Sequence, residues 1–138
     1  MNSKQTQSLL SAEQNDALSR GRAYCADHHP HLEAMLSDWF DDMLPDFSES
    51  LIEWAYGRHY SRPGLDTRTR QLATLAALTV LGGQTAPQLK INIEHSLAVG
   101  ASKREIVEVI WQMAVYGGLP AAINGLSVAK EVFAEHTP

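Results

Sequence analysis

Residues 61–133 read SRPGLDTRTRQLATLAALTVLGGQTAPQLKINIEHSLAVGASKREIVEVIWQMAVYGGLPAAINGLSVAKEVF, and the punctuation of this stretch decides the fold. Asp66 stands where a helix N-cap belongs, and Gly82-Gly83 ends the run that follows it. Between them Leu72, Leu75, Ala76, Leu78 and Val80 cover most faces, which predicts a buried central helix from Thr67 to about Leu81. Thr85 and Gln88 give the T-x-x-Q form of a capping box. Pro87 falls in the first turn, where its missing N–H costs nothing, so a second helix is predicted from Thr85 to Val99, stopping at Gly100. Ser102 and Glu105 repeat the box as S-x-x-E. Ile106, Val109, Ile110 and Met113 then follow at helical spacing until Gly117-Gly118. A last helix opens at Pro120 and carries Ile123, Leu126, Val132 and Phe133.

Outward from this block the signals are coarser. Residues 1 to about 10 are polar, with fraying expected as far as residue 16, while Glu13 to Ala26 suits a helix. Pro30 opens a helix from His31 to Met43, and Pro45 starts another running to Tyr60. No segment alternates with period two for long enough to make a strand, and no internal repeat or low-complexity linker is present. The expectation is an all-α chain of about six to seven helices, folded as one domain over residues 1–138.

Composition narrows the function classes. At 138 residues the chain can bury roughly two thirds of the surface its unfolded form exposes. A hydrophobic share of 44% with 20% charged residues is globular, and a net charge of -5 without a basic stripe argues against a nucleic-acid partner. The longest nearly uncharged run, Gln71 to Gln88, is broken by Gly82, Gly83 and Pro87, and falls short of the ~20 apolar residues that span a bilayer. The amino terminus lacks the apolar core of a signal peptide, and the lone Cys25 has no intramolecular partner, so a reducing cytoplasm is the expected location.

The paired segments SRPGLDxRTR and VYGGLPAAINGLSVAKEVF together resemble the carboxymuconolactone decarboxylase family, on the branch lacking redox cysteines. The family core maps to about residues 50–133, with a weaker likeness through LIEWAYGRHYSRPGLD to about Ala17. The resemblance implies the all-helical AhpD-like fold, association of helix faces into trimers or hexamers, and decarboxylation of a small carboxylated lactone or related acid in aromatic catabolism. Thiol peroxidase relatives carry C-x-x-C-x-x-x-H where this chain has Thr85, Gln88 and Asn92, so their dithiol chemistry is absent. In the decarboxylase branch the family histidine also falls on Asn92, and a histidine reappears one turn later at His95.

The implied reaction holds a carboxylate, stabilises an enolate-like oxygen and returns a proton to carbon, and it demands no metal or organic cofactor. His95 is the candidate proton donor, since Gln88, Asn92 and His95 share one helix face and only the imidazole shuttles protons near neutral pH. A helix-surface or subunit-interface role for His95 stays open. Asn92 or Tyr116 is the candidate oxyanion donor, although Tyr116, like Trp111, suits a core or interface aromatic better than a catalytic group. Arg62, with Arg58 nearby, is the candidate carboxylate anchor, because a guanidinium offers a planar fork; a structural role at the turn before Pro63 stands beside it. The resemblance also implies Asp or Glu where this chain has Arg58 and Arg or Asn where it has Glu94; if the two positions face each other, an Arg58–Glu94 pair of reversed polarity would alter the field of a pocket between them. HHPHLE (His28, His29, His31, Glu33) lacks the spacing of a helical metal-ligand pair, so no metal site is expected. Two alternatives remain: a peroxidase by family alone, or a noncatalytic oligomer that binds small acids.

Overall fold

The structure is a computed structural model and describes residues 2–136, with the side chains of all of these except 8–15. It is all-helical, with no strand among the described residues. Among the described residues there are eight α-helices, against about six to seven expected: α1 Ser3–His28, α2 Leu32–Leu36, α3 Phe47–Leu51, α4 Thr67–Val80, α5 Ala86–Ala98, α6 Lys103–Gln112, α7 Ala114–Gly117 and α8 Leu119–Glu135. None is long and apolar enough to cross a membrane. Residues 1–64 and 65–138 form two compact units.

In the first unit α1 begins at Ser3, where fraying was expected, because Asn2 closes a capping box. Asn2 Oδ1 accepts from Gln5 N at 2.9 Å, and Gln5 Oε1 accepts from Asn2 N at 3.3 Å. The helices predicted to start at Pro30 and Pro45 both change register: α2 widens into a π-helical turn over Ser37–Asp41, and α3 into a nine-residue π-helix over Ile52–Tyr60. Bonds from i to i+5 stack residues five apart. Arg58 Nε therefore lies 3.1 Å from Glu53 Oε1, and His59 Nδ1 lies 2.7 Å from the Trp54 carbonyl oxygen. Tyr24, Cys25, Leu32, Leu36, Ile52 and Tyr56 form the core of this unit.

His29 caps the carboxyl end of α1 through its N–H to the Cys25 carbonyl and is itself 5% exposed. Burial among the rings of Tyr24 and Tyr56, with His28 beside it, pushes its imidazole down from 6.5 to about 4. Between those two pH values the unfolded chain binds a proton that the folded chain refuses, so stability falls as pH drops from about 6.5 to about 4. At ~1.4 kcal/mol per pH unit of displacement the loss is on the order of 3 kcal/mol. Urea midpoints measured across this window should slope downward for the native chain and flatten for His29→Gln; parallel slopes would remove His29 as the cause.

The second unit packs Leu75, Leu89, Ile93, Ile106, Ile110 and Val132 into one cluster. Asp66 accepts from Thr69 N at 2.7 Å, and Ser102 and Glu105 close their capping box, as the sequence predicts. The box expected at Thr85 and Gln88 does not form. Thr85 Oγ1 donates instead to the carbonyls of Leu78 (2.6 Å) and Gly82 (2.9 Å), tying a short 3₁₀ turn over Gly83–Thr85 to the end of α4. Nor is α4 buried on most faces: its inward stripe is Gln71, Leu75 and Thr79, while Val80 and Leu81 are exposed. Two of the three inward residues are thus polar.

Candidate functional site

The α5 face named by the sequence is built on a buried side that holds Leu89, Ile93 and Ser96. Next to that side, Asn92 and His95 are half-buried, whereas Gln88 is exposed. Ser96 Oγ donates to the Asn92 carbonyl at 2.7 Å and is wholly buried. Asn92 Nδ2 donates to the Gln88 carbonyl at 2.9 Å. From α4, Gln71 brings Nε2 to 3.4 Å from both the carbonyl oxygen and Oδ1 of Asn92. Gln71 is absent from the sequence-derived candidates because a glutamine at position 71 reads as an outward residue of an otherwise apolar helix. Only the i, i+4, i+8 relation to Leu75 and Thr79 marks its direction.

The polar groups packed behind Asn92 are carboxamides, a hydroxyl and peptide groups, and none of these changes charge over the ordinary pH range. His95, whose Nδ1 is buried, is the imidazole on this face. Glu94, half-buried on the same helix, lies near Lys90; the ammonium is held above its usual range by its hydrogen bond to Glu135, with smaller contributions from Glu135, Glu94 and Glu131 charges. Lys90 Nζ reaches Glu135 Oε1 at 3.2 Å.

Tyr116 stands on α7, 76% exposed, and Trp111 at 52% is likewise no part of the core of its unit. Around them Val80, Leu81, Val115 and Leu119 leave large apolar side chains in the open. Gly117 joins these positions, since a Cβ on it would sit 3.1 Å from the Val80 Cα.

Arg58 and Arg62 belong to the first unit, at the end of the π-helix. Arg58 is paired with Glu53 at 3.0 Å, so its guanidinium already has a carboxylate. The exposed Arg62 follows one turn later, its N–H on the His59 carbonyl at 3.1 Å. Cys25 is buried in the same unit, and burial, helped by the negative charge of Glu33, pushes its thiol up to about 12, opposite to what an attacking thiolate requires. His28 and His29 bring their ring centroids to 6.1 Å. His29 is buried, His31 is exposed, and among the described residues no group of three His, Cys, Asp or Glu is placed to hold a metal ion.

The pattern of the carboxymuconolactone decarboxylase family matches residues 45–131. The chain is similar to an uncharacterized 15.0 kDa protein in the nqo9-nqo10 intergenic region of Paracoccus denitrificans, 38% identical over 118 residues, which are 86% of this chain and 88% of that protein. It is 36% identical over 93 residues to 4-carboxymuconolactone decarboxylase of Acinetobacter baylyi, covering 67% of this chain and 68% of the relative. Nitrosuccinic acid decarboxylase of Metarhizium robertsii is 32% identical over 83 residues, covering 60% of this chain and 57% of that protein.

Proposed function

Because the chain belongs to the carboxymuconolactone decarboxylase family, we propose that it is a cofactor-independent carboxy-lyase acting on a small carboxylated lactone or related acid in the breakdown of aromatic compounds. The observation that carries this reading is the half-buried Asn92–His95 face of α5, backed by the buried and non-titrating Gln71 and Ser96. Two relatives named as decarboxylases, with different acids in their names, support the reaction type more than any one substrate.

In the proposed reaction Arg62 holds the substrate carboxylate until the bond from that group to the ring carbon breaks. Carbon dioxide leaves, and the electron pair passes into the unsaturated lactone to form an enolate. Asn92 donates a hydrogen bond to the enolate oxygen, with Tyr116 as the other candidate donor, and His95 returns one proton to carbon. Asn92 in place of the family histidine favours a second reading, in which the fold binds small acids without converting them. A reducing cytoplasm suits both.

The working form is a homo-oligomer, trimer or hexamer. The exposed side chains of Val80, Leu81, Trp111, Val115, Tyr116 and Leu119 support this, since so many large apolar groups on one unit of a small protein mark an association surface.

The test is turnover of 4-carboxymuconolactone by the purified protein, followed by loss of substrate and release of carbon dioxide. Arg62→Lys is expected to raise KM about 10- to 100-fold with kcat nearly unchanged, the effect of one lost charge-assisted hydrogen bond. Binding of the lactone without turnover would select the second reading. An unchanged KM would remove Arg62 as the anchor.

A further inference from the structure

Gln71 is wholly buried on α4, in a stripe where Leu75 packs one turn further on. Methionine or leucine would fill such a place without the cost of desolvating a carboxamide. Part of that cost is visible: Gln71 Oε1 is buried and has no hydrogen-bond partner among the described residues. What the side chain does make is the bifurcated contact of its Nε2 with the carbonyl oxygen and Oδ1 of Asn92, both at 3.4 Å.

A carboxamide has two N–H donors and one acceptor oxygen, and turning it over exchanges them. If Asn92 were turned over, its NH₂ would face Gln71 Nε2, donor against donor. Its oxygen would then face the Gln88 carbonyl, to which Nδ2 now donates at 2.9 Å, acceptor against acceptor. Both contacts select the same orientation. The oxygen is committed to Gln71, one N–H is committed to Gln88, and the second N–H of the half-buried Asn92 remains to be given.

We propose that Gln71 is a positioning residue, which locks the Asn92 carboxamide so that its remaining N–H is offered to an anionic oxygen of a small acid. The proposal rests on the function given above and deepens it, since it fixes Asn92 as a donor and therefore selects acids over amines. Gln71 carries no charge, so its hold on Asn92 does not change with pH.

The test uses the full-length protein and the side-chain NH₂ resonances of Asn92, assigned by their disappearance in Asn92→Asp. In the native chain the two protons are expected to be well separated, with the one donated to the Gln88 carbonyl slow to exchange with water. In Gln71→Met the separation should collapse toward that of a free asparagine while the backbone spectrum of α4 and α5 is kept. Thr79→Val, which removes another buried polar group of α4 that does not touch Asn92, should leave the pair unchanged. Should Gln71→Met fail to fold, Gln71→Asn, one methylene shorter and still polar, carries the same expectation. Resonances of Asn92 that stay put in either folded variant overturn the proposal. With 4-carboxymuconolactone as substrate, Gln71→Met is expected to lower kcat about 10²-fold, the effect of a misplaced group that remains present. If the native chain does not turn the lactone over, the function reading fails, and the resonances still decide the role of Gln71.

Discussion

His95→Ala is expected to lower kcat on a carboxylated lactone by about 10²–10⁴-fold, with little change in substrate affinity, the effect of a lost general acid. The expectation follows from what surrounds the residue. Gln71, Asn92 and Ser96 supply hydrogen bonds but no proton at neutral pH, and Cys25 is held in its thiol form by burial in the other unit. His95 is the imidazole on the same helix face as Asn92, three residues along and half-buried. The pH profile separates a chemical role from a structural one: the limb of kcat that reports the acid should vanish in the variant. Turnover that survives while the oligomer dissociates would make His95 an interface residue and place the proton donor elsewhere.

Gly57→Ala is expected to destabilise the first unit by about 3 kcal/mol or more, at or beyond the upper end of ordinary overpacking. A Cβ on Gly57 would lie 1.9 Å from the carbonyl oxygen of Ala17, and one on Gly21 would lie 2.3 Å from that of Ile52. These obstacles are backbone atoms of α1 and the π-helix, so no rotamer change relieves them. Separating the two helices would also break the bond from Arg20 Nε to the Gly57 carbonyl, now 3.2 Å. Gly64→Ala is the control, since a Cβ there meets nothing within 4 Å, and a change within about ±0.5 kcal/mol is expected. Equal melting behaviour for the two variants would show that α1 yields and that the glycine contact is not limiting.

The sequence was most legible where a short-range rule acts alone. Asp66 and the Ser102–Glu105 box announce their helices because a side chain reaches only two or three residues along the backbone. Thr85 obeys the same rule on paper and breaks it in space, since the carbonyls of Leu78 and Gly82 come closer to its hydroxyl than the amides of the next turn. The direction of α4 was misread for a related reason: apolar residues on several faces suggest burial on all of them, yet the chain buries Gln71 and Thr79 and exposes Val80. Asn92 and His95 were legible as neighbours on one helix face. The residue that orients Asn92 lies 21 positions away on another helix, and no periodicity connects the two.

The π-helix over Ile52–Tyr60 also bears on how this protein can change over generations. A π turn holds one residue more than the α turn it replaces, so the segment behaves as an insertion kept inside a helix. Deleting one residue there would restore an ordinary α turn and leave everything downstream on its bearing, whereas rewinding the turn as α-helix with every residue kept would rotate it by about 100°, the angle between successive residues of an α-helix. In that second case Arg58, His59 and Arg62 would swing together to a new bearing while keeping their identities. A point substitution alters one side chain at a time, whereas a change of winding here re-aims the whole cationic end of the helix.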